Sequence, residues 1–200
     1  MKLVVLRHEE RDLLEPRFFS PLTQQGQINS RSSDFLKVLK TLDPDCIFCS
    51  PFERCLQTIC NFCLESKKKI CIENSLYEFI GNNKFLGEPV YDINNIKDFY
   101  EQLIDFEYNS FLETEQFIFS ENKKINRLET HTELLSRVSN FIEELFSKYL
   151  NSEQTILLVA HEGVIKQIET YLYTSVLKIS KKYRYIKMGE LREFNLRYEK

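Results

Sequence analysis

The sequence predicts an α/β fold: a three-layer α/β/α sandwich on a mostly parallel central sheet, with an inserted cap region. Three observations predict it. Apolar runs at 2–6, 46–49 and 155–160 have the length and aliphatic content of buried strands. Amphipathic stretches at helical spacing separate them, so neighbouring strands must be joined by crossovers, which favours parallel pairing with helices on both faces. Each run also stops abruptly, at Arg7-His8, at Ser50-Pro51 and at His161, and in such sheets ligands sit beyond the carboxyl ends of the strands.

Lys2–Leu6 reads as a central strand. After a loop through Pro16 and Pro21, Thr23 can cap a helix whose residues Ile28, Phe35, Leu36, Leu39 and Leu42 share one face and which ends before Asp43-Pro44. Cys46–Cys49 is a second strand, and Phe52, Leu56, Ile59, Cys60 and Cys63 then follow the helical period. A third strand is expected at Lys69–Ile72, leading into Leu76-Tyr77-Glu78-Phe79. Residues 81–128 lack a sustained period apart from a helix expected over Ile93–Ile104, and read as an insertion or cap within a single domain spanning 1–200. The clearest helix covers Thr132–Tyr149, where Leu134, Val138, Phe141, Ile142 and Leu145 recur on one side. Thr155–Ala160 is a buried strand, Val164–Leu177 a helix, and Tyr183–Lys187 and Leu191–Tyr198 are expected as closing strands.

Composition narrows the function. A net charge of -3, with 27 Lys and Arg scattered along 200 residues, argues against nucleic acid as partner. The first apolar run meets charge at Arg7, so neither a secretory leader nor a membrane span is expected. Six cysteines in a chain of this size fit reduced thiols and a cytoplasmic setting better than a disulfide framework. Cys46-x-x-Cys49 and Cys60-x-x-Cys63 have zinc-like internal spacing, but positions three apart in a strand face opposite sides, which opposes a shared ion. The 16 Phe and 10 Tyr are assigned to packing.

The strand ends converge two imidazoles and two guanidiniums on one rim. Singly, His8 or His161 would be an ordinary hydrogen-bonded histidine; together with Arg7 and Arg54 they describe an anion pocket. Arg7-His8, Pro21-Leu22-Thr23 with Gly26, Ser50-Pro51-x-x-Arg54 with Gln57-Thr58, and His161 after its strand resemble the histidine phosphatase superfamily, which includes the phosphoglycerate mutases. Glu129 and Arg137 also match a pattern at the start of the family's late helix.

The resemblance implies catalysis by His8 as nucleophile, Glu78 as acid and base, and His161, with phosphate bound by Arg7, Arg54 and His161. Chemistry supports these roles: an imidazole nitrogen can take a phosphoryl group, planar guanidiniums fit its oxygens, and Glu78 has apolar neighbours that suit a carboxyl able to hold a proton. No metal or other cofactor is expected, since the arginines and histidines supply the positive charge. The substrate would be a phosphorylated small molecule or a phosphoprotein, with no membrane partner; the sequence gives no signal for oligomeric state. Mutase-type phosphotransfer is a related alternative, and a catalytically silent phosphate-binding module another. The silent reading draws on Glu9 and Glu162, which stand where the family has Gly after each histidine. Ser50, Gln57 and Thr58 are expected as cap, packing or supporting residues, and His131 at a helix mouth.

Overall fold

The computed structural model describes residues 1–12, 19–88, 100–111, 125 and 127–196. Among the described residues, five strands form one sheet in the order β3-β2-β4-β1-β5. β1 (Lys2–Arg7) lies parallel to β4 (Thr155–Ala160), which lies parallel to β2 (Cys46–Cys49), and β3 (Cys71–Ile72) extends the sheet in the same direction. Only β5 (Leu191–Asn195) runs antiparallel, at the edge beside β1.

Residue alternation sorts the core into two layers, as the pleat of a strand requires. Leu3, Val5, Ile156, Leu158 and Phe48 face α4 (His131–Tyr149) and α5 (Glu162–Tyr171) through Val138, Phe141, Ile142, Val164 and Ile168. Val4, Leu6, Leu157, Val159 and Ile47 face the opposite layer, made of α1 (Gln24–Ser30), α2 (Ser33–Leu42) and α3 (Glu53–Ser66). Cys46 packs in the first layer and Cys49 in the second. The two thiols therefore lie on opposite faces of the sheet.

Local chemistry sets the helix ends. Thr130 and Glu133 form a reciprocal capping box that starts α4 one residue before the expected position. The single helix expected after Thr23 is two. Ser32 adopts an extended conformation and its hydroxyl accepts from the amide of Phe35, so a fresh N-cap interrupts the run and leaves Ile28 exposed on α1. Asp43, left-handed at φ 44°, closes α2.

Three other expectations are corrected. The helix after β4 starts at Glu162 and passes into a π turn over Leu172–Val176. Tyr183–Lys187 is no strand: its polar groups bond to Arg7 and Glu162 instead of to a ladder. The last strand ends at Asn195, and residues 197–198 lie outside the described residues. Of the helix expected over Ile93–Ile104, residues 93–99 lie outside the described residues, while Tyr100, Leu103 and Ile104 are buried in the second core layer. Ile70 and Ile104 form an isolated bridge, which extends the sheet edge at the place where strand was expected to begin. No helix among the described residues is long and apolar enough to cross a membrane.

Candidate active site

The sheet's ladders carry on just past the strands and bring their ends together. The amide of His8 donates to Ala160 O at 3.1 Å, that of Ser50 to Val159 O at 2.9 Å, and that of Glu73 to Cys49 O at 2.9 Å. His8, Ser50 and His161 are thus neighbours by register, and their surroundings are dry: His8 is 1% exposed, and Arg54 and His161 are fully buried.

His8 is oriented through its own backbone. Its Nδ1 lies 2.7 Å from Glu9 O, a carbonyl that can only accept, so Nδ1 carries the proton and Nε2 carries a lone pair. Nε2 is buried and has no hydrogen-bond partner among the described residues. Burial first, then the positive charges of Arg54, Arg7 and Arg11, push the ring's pKa well below its usual 6.5, against the opposing pull of the Glu9 carbonyl. The imidazole is neutral at neutral pH, with an unshared lone pair on Nε2.

His161 lies 5.2 Å away, centroid to centroid. Arg54 Nη2 approaches its Nδ1 at 3.1 Å, and a guanidinium can only donate; Nε2 therefore bears the hydrogen and donates to Ser50 Oγ at 2.8 Å. Burial and the nearby Arg54 keep this ring neutral as well. Ser50, expected as a helix cap, chiefly orients His161: the residue preceding α3 is Phe52, which makes no side-chain cap, and its ring packs edge-on against His161 at 4.9 Å. Burial brings Arg54 down to about 10, with Glu78 opposing, which leaves it cationic.

Glu78 reaches the same space. Its Oε2 stands 3.5 Å from both Arg54 Nη2 and His161 Nδ1, and its Oε1 accepts from the amide of Phe79. The segment carrying it is tied down from α4: Arg137 donates to the carbonyls of Ser75 and Tyr77 at 2.6 and 3.1 Å while pairing with buried Glu129. His8, Glu78 and His161 present ligand atoms within 4.8 Å of one another, a spacing that could hold a cation. Arg54 stands against the His161 and Glu78 atoms of that set with a fixed positive charge, which suits an anion instead.

Arg7 closes the other side. Its Nη1 donates to Tyr185 Oη at 2.6 Å and to Ile186 O at 2.7 Å. The two glutamates after the histidines are both engaged by protein groups. Glu9 is buried, its amide donates to Thr58 Oγ1 at 2.9 Å, and its carboxylate accepts from Asn29 Nδ2 at 3.2 Å. Gly189, at φ 72°, leaves room for that carboxylate, because a Cβ there would fall 2.1 Å from Glu9 Oε1. Glu162 Oε1 accepts from Tyr183 Oη at 2.8 Å. Gln57 accepts from the amide of Leu22 at 2.7 Å, and His131 stacks beside Phe79.

The family model of the histidine phosphatase superfamily (branch 1) matches residues 5–187. The chain belongs to the histidine phosphatase superfamily. Solved structures agree on the fold of this histidine phosphatase chain. It is similar to the ecdysone phosphate phosphatase of Bombix mori in complex with tungstate, with a TM-score of 0.68 at 15% identity over 96% of this chain and 88% of that one. It is also similar to the alpha-ribazole phosphatase of Shigella flexneri, with a TM-score of 0.63 at 19% identity over 98% and 90%. A mycobacterial glucosyl-3-phosphoglycerate phosphatase gives 0.62 at 15% identity over 96% and 88%. A search of curated proteins found no match.

Reading the histidine phosphatase motifs from sequence left out three contributors. Arg11, three residues after His8, is close enough to lower the proton affinity of both histidines. Its signal was the Arg-His-x-x-Arg spacing at a strand end. Tyr185 and Ile186 left no such signal, since they meet Arg7 only through the fold.

Proposed function

We propose that the protein is a phosphomonoester hydrolase working through a phosphohistidine on Nε2 of His8. The observation that carries this reading is the His8 ring itself: Nδ1 is fixed to the Glu9 carbonyl at 2.7 Å, and Nε2 is buried, deprotonated and aimed where cationic groups gather.

In this reading Arg7, Arg54 and His161 bind the phosphate oxygens, and the arriving dianion draws a proton onto His161. Nε2 of His8 attacks phosphorus in line as the ester P–O bond breaks, and Glu78 gives the leaving oxygen its proton. Water then attacks the phosphohistidine, Glu78 takes back the proton, the P–N bond breaks, and inorganic phosphate leaves. Glu78 suits both half-reactions by position: its Oε2 stands 3.5 Å from both Arg54 and His161, within reach of the leaving oxygen and of the attacking water. Residues 81–128 act as a cap within one domain, of which Phe85 and Ile125 pack with Phe52, Tyr77 and Ile80 beside the site.

The neighbours' printed substrates are phosphorylated small molecules, which favours that class over phosphoproteins. A cytoplasmic location is part of the same reading, supported by the free thiols of Cys49, Cys55 and Cys63 buried in the core.

The test is a trapped intermediate. Protein mixed with a 32P-labelled aryl phosphate and quenched in alkaline denaturant, where a P–N bond survives, should retain label in the wild type and none in His8→Ala. Turnover without metal should fall at least about a thousandfold in the same variant. Equal turnover by both proteins, or label lost from the wild type on denaturation, would overturn the reading.

A further inference from the structure

We propose that the exposed segment Lys178–Lys187 is a second anion site, selecting small phosphomonoesters that carry another phosphate about 10 Å from the one cleaved. The inference rests on the phosphatase reading of His8 and adds the substrate class.

Apart from Lys67–Lys69, cations are scattered over the rest of the chain; over this segment they gather. Lys178, Lys181, Lys182, Arg184 and Lys187 fall within ten residues with no acid among them, on a chain of net charge -3, and all five are exposed. Arg184 is neutralised by Glu190 at 2.5 Å, and Lys181 lies over the ring of Tyr173. Lys178, Lys182 and Lys187 have no ion pair among the described residues. These three ammonium groups stand on an exposed stretch of ten residues with no acid to offset them.

A basic run is ordinarily just a solvated face. The attachments of this one say otherwise. Tyr185 Oη and Ile186 O bind Arg7, Tyr183 Oη binds Glu162 beside His161, and the amide of Gly189 approaches the carbonyls of Arg7 and His8 at 3.1 and 3.2 Å. The segment is therefore fastened to both sides of the phosphate pocket. Lys182 and Lys187 adjoin the anchoring residues Tyr183 and Ile186. Two or three residues of chain span roughly 7–10 Å, so an ammonium there reaches a second phosphate on the same small molecule. Tyr185 is 57% exposed, with its ring 5.1 Å from the Arg7 guanidinium, so the segment meets solvent at the same place where it meets Arg7.

Leu177 and Ile179 are exposed next to the lysines, a mixture that would also suit an anionic membrane. The hydrogen bonds tying residues 183–189 down to the pocket favour a ligand shared with the catalytic centre.

The test compares wild type with the triple variant Lys178→Ala/Lys182→Ala/Lys187→Ala on two substrates, p-nitrophenyl phosphate and a hexose bisphosphate. The ratio of kcat/KM for the bisphosphate to that for the aryl ester should fall about tenfold in the variant, mostly through KM, and the wild-type ratio should fall as salt rises. An unchanged ratio with aryl phosphate turnover intact overturns the second site and leaves the His8 reading standing. If the wild type turns over neither substrate, the His8 reading fails, and binding decides the second site: thermal protection by inositol hexakisphosphate that is weaker in the triple variant supports it, and equal protection overturns it. Sedimentation with phosphatidylserine vesicles that the variant loses, at an unchanged substrate ratio, would overturn it in favour of a membrane surface.

Discussion

Arg137 grips Glu129 with two donors, Nε at 2.6 Å and Nη2 at 3.0 Å, and the pair is buried at side-chain exposures of 6% and 1%. The remaining reach of the guanidinium goes to the carbonyls of Ser75 and Tyr77. A single cation thus satisfies a buried carboxylate and pins the backbone that delivers Glu78.

Removing Arg137 alone should be costly, because two carbonyls lose a donor and Glu129 loses its charged partner, keeping only the Tyr77 hydroxyl at 3.0 Å. Arg137→Ala is expected to lose about 3–5 kcal/mol in urea unfolding, and Glu129→Gln less. In variants that still fold, kcat should fall more than the affinity for inorganic phosphate, since Glu78 shifts while Arg54 stays.

The two buried imidazoles make stability depend on pH in a defined direction. Both are held below 6.5 in the folded protein, chiefly by burial. Below about 6.5 the unfolded chain takes up protons that the native rings refuse, so the stability present above that pH is lost as pH falls toward the native values. The expected slope is up to about 1.4 kcal/mol per pH unit for each ring. Urea midpoints between pH 7.5 and 5 should drop more steeply for the wild type than for His8→Asn; parallel slopes would contradict the assignment.

Ser50 accepts from Nε2 of His161 and leaves Nδ1 turned toward Arg54 and Glu78. Ser50→Ala should leave the fold within about 1 kcal/mol of wild type while reducing kcat/KM by roughly tenfold, as the ring loses its anchor but not its place. Ser50→Thr, which retains the hydroxyl, should recover part of that loss.

Much of this was legible in the primary structure because strands and their ends follow from short-range rules. Lys2–Leu6, Cys46–Cys49 and Thr155–Ala160 read as buried strands, and α4 as a helix, from periodicity alone, and the observed elements agree to within a residue. The second helix start at Ser32 was written in the sequence too, but a continuous apolar face across residues 28–42 masked the cap. Tyr183–Lys187 misled for a different reason: its aromatic and β-branched content imitates a strand, and its polar groups find partners 20 and more residues away in Glu162 and Arg7.

By itself, then, the sequence determined a parallel α/β sheet and the identity of the residues at its carboxyl edge, since pleat, period and helix capping act over a few residues. Only the tertiary structure decided which nitrogen of each histidine carries the proton, that Ser50 holds His161, and that the 178–187 segment leans on Arg7. Hydrogen bonds between distant residues depend on where the sheet register and the helix layers put them, and no local pattern encodes that.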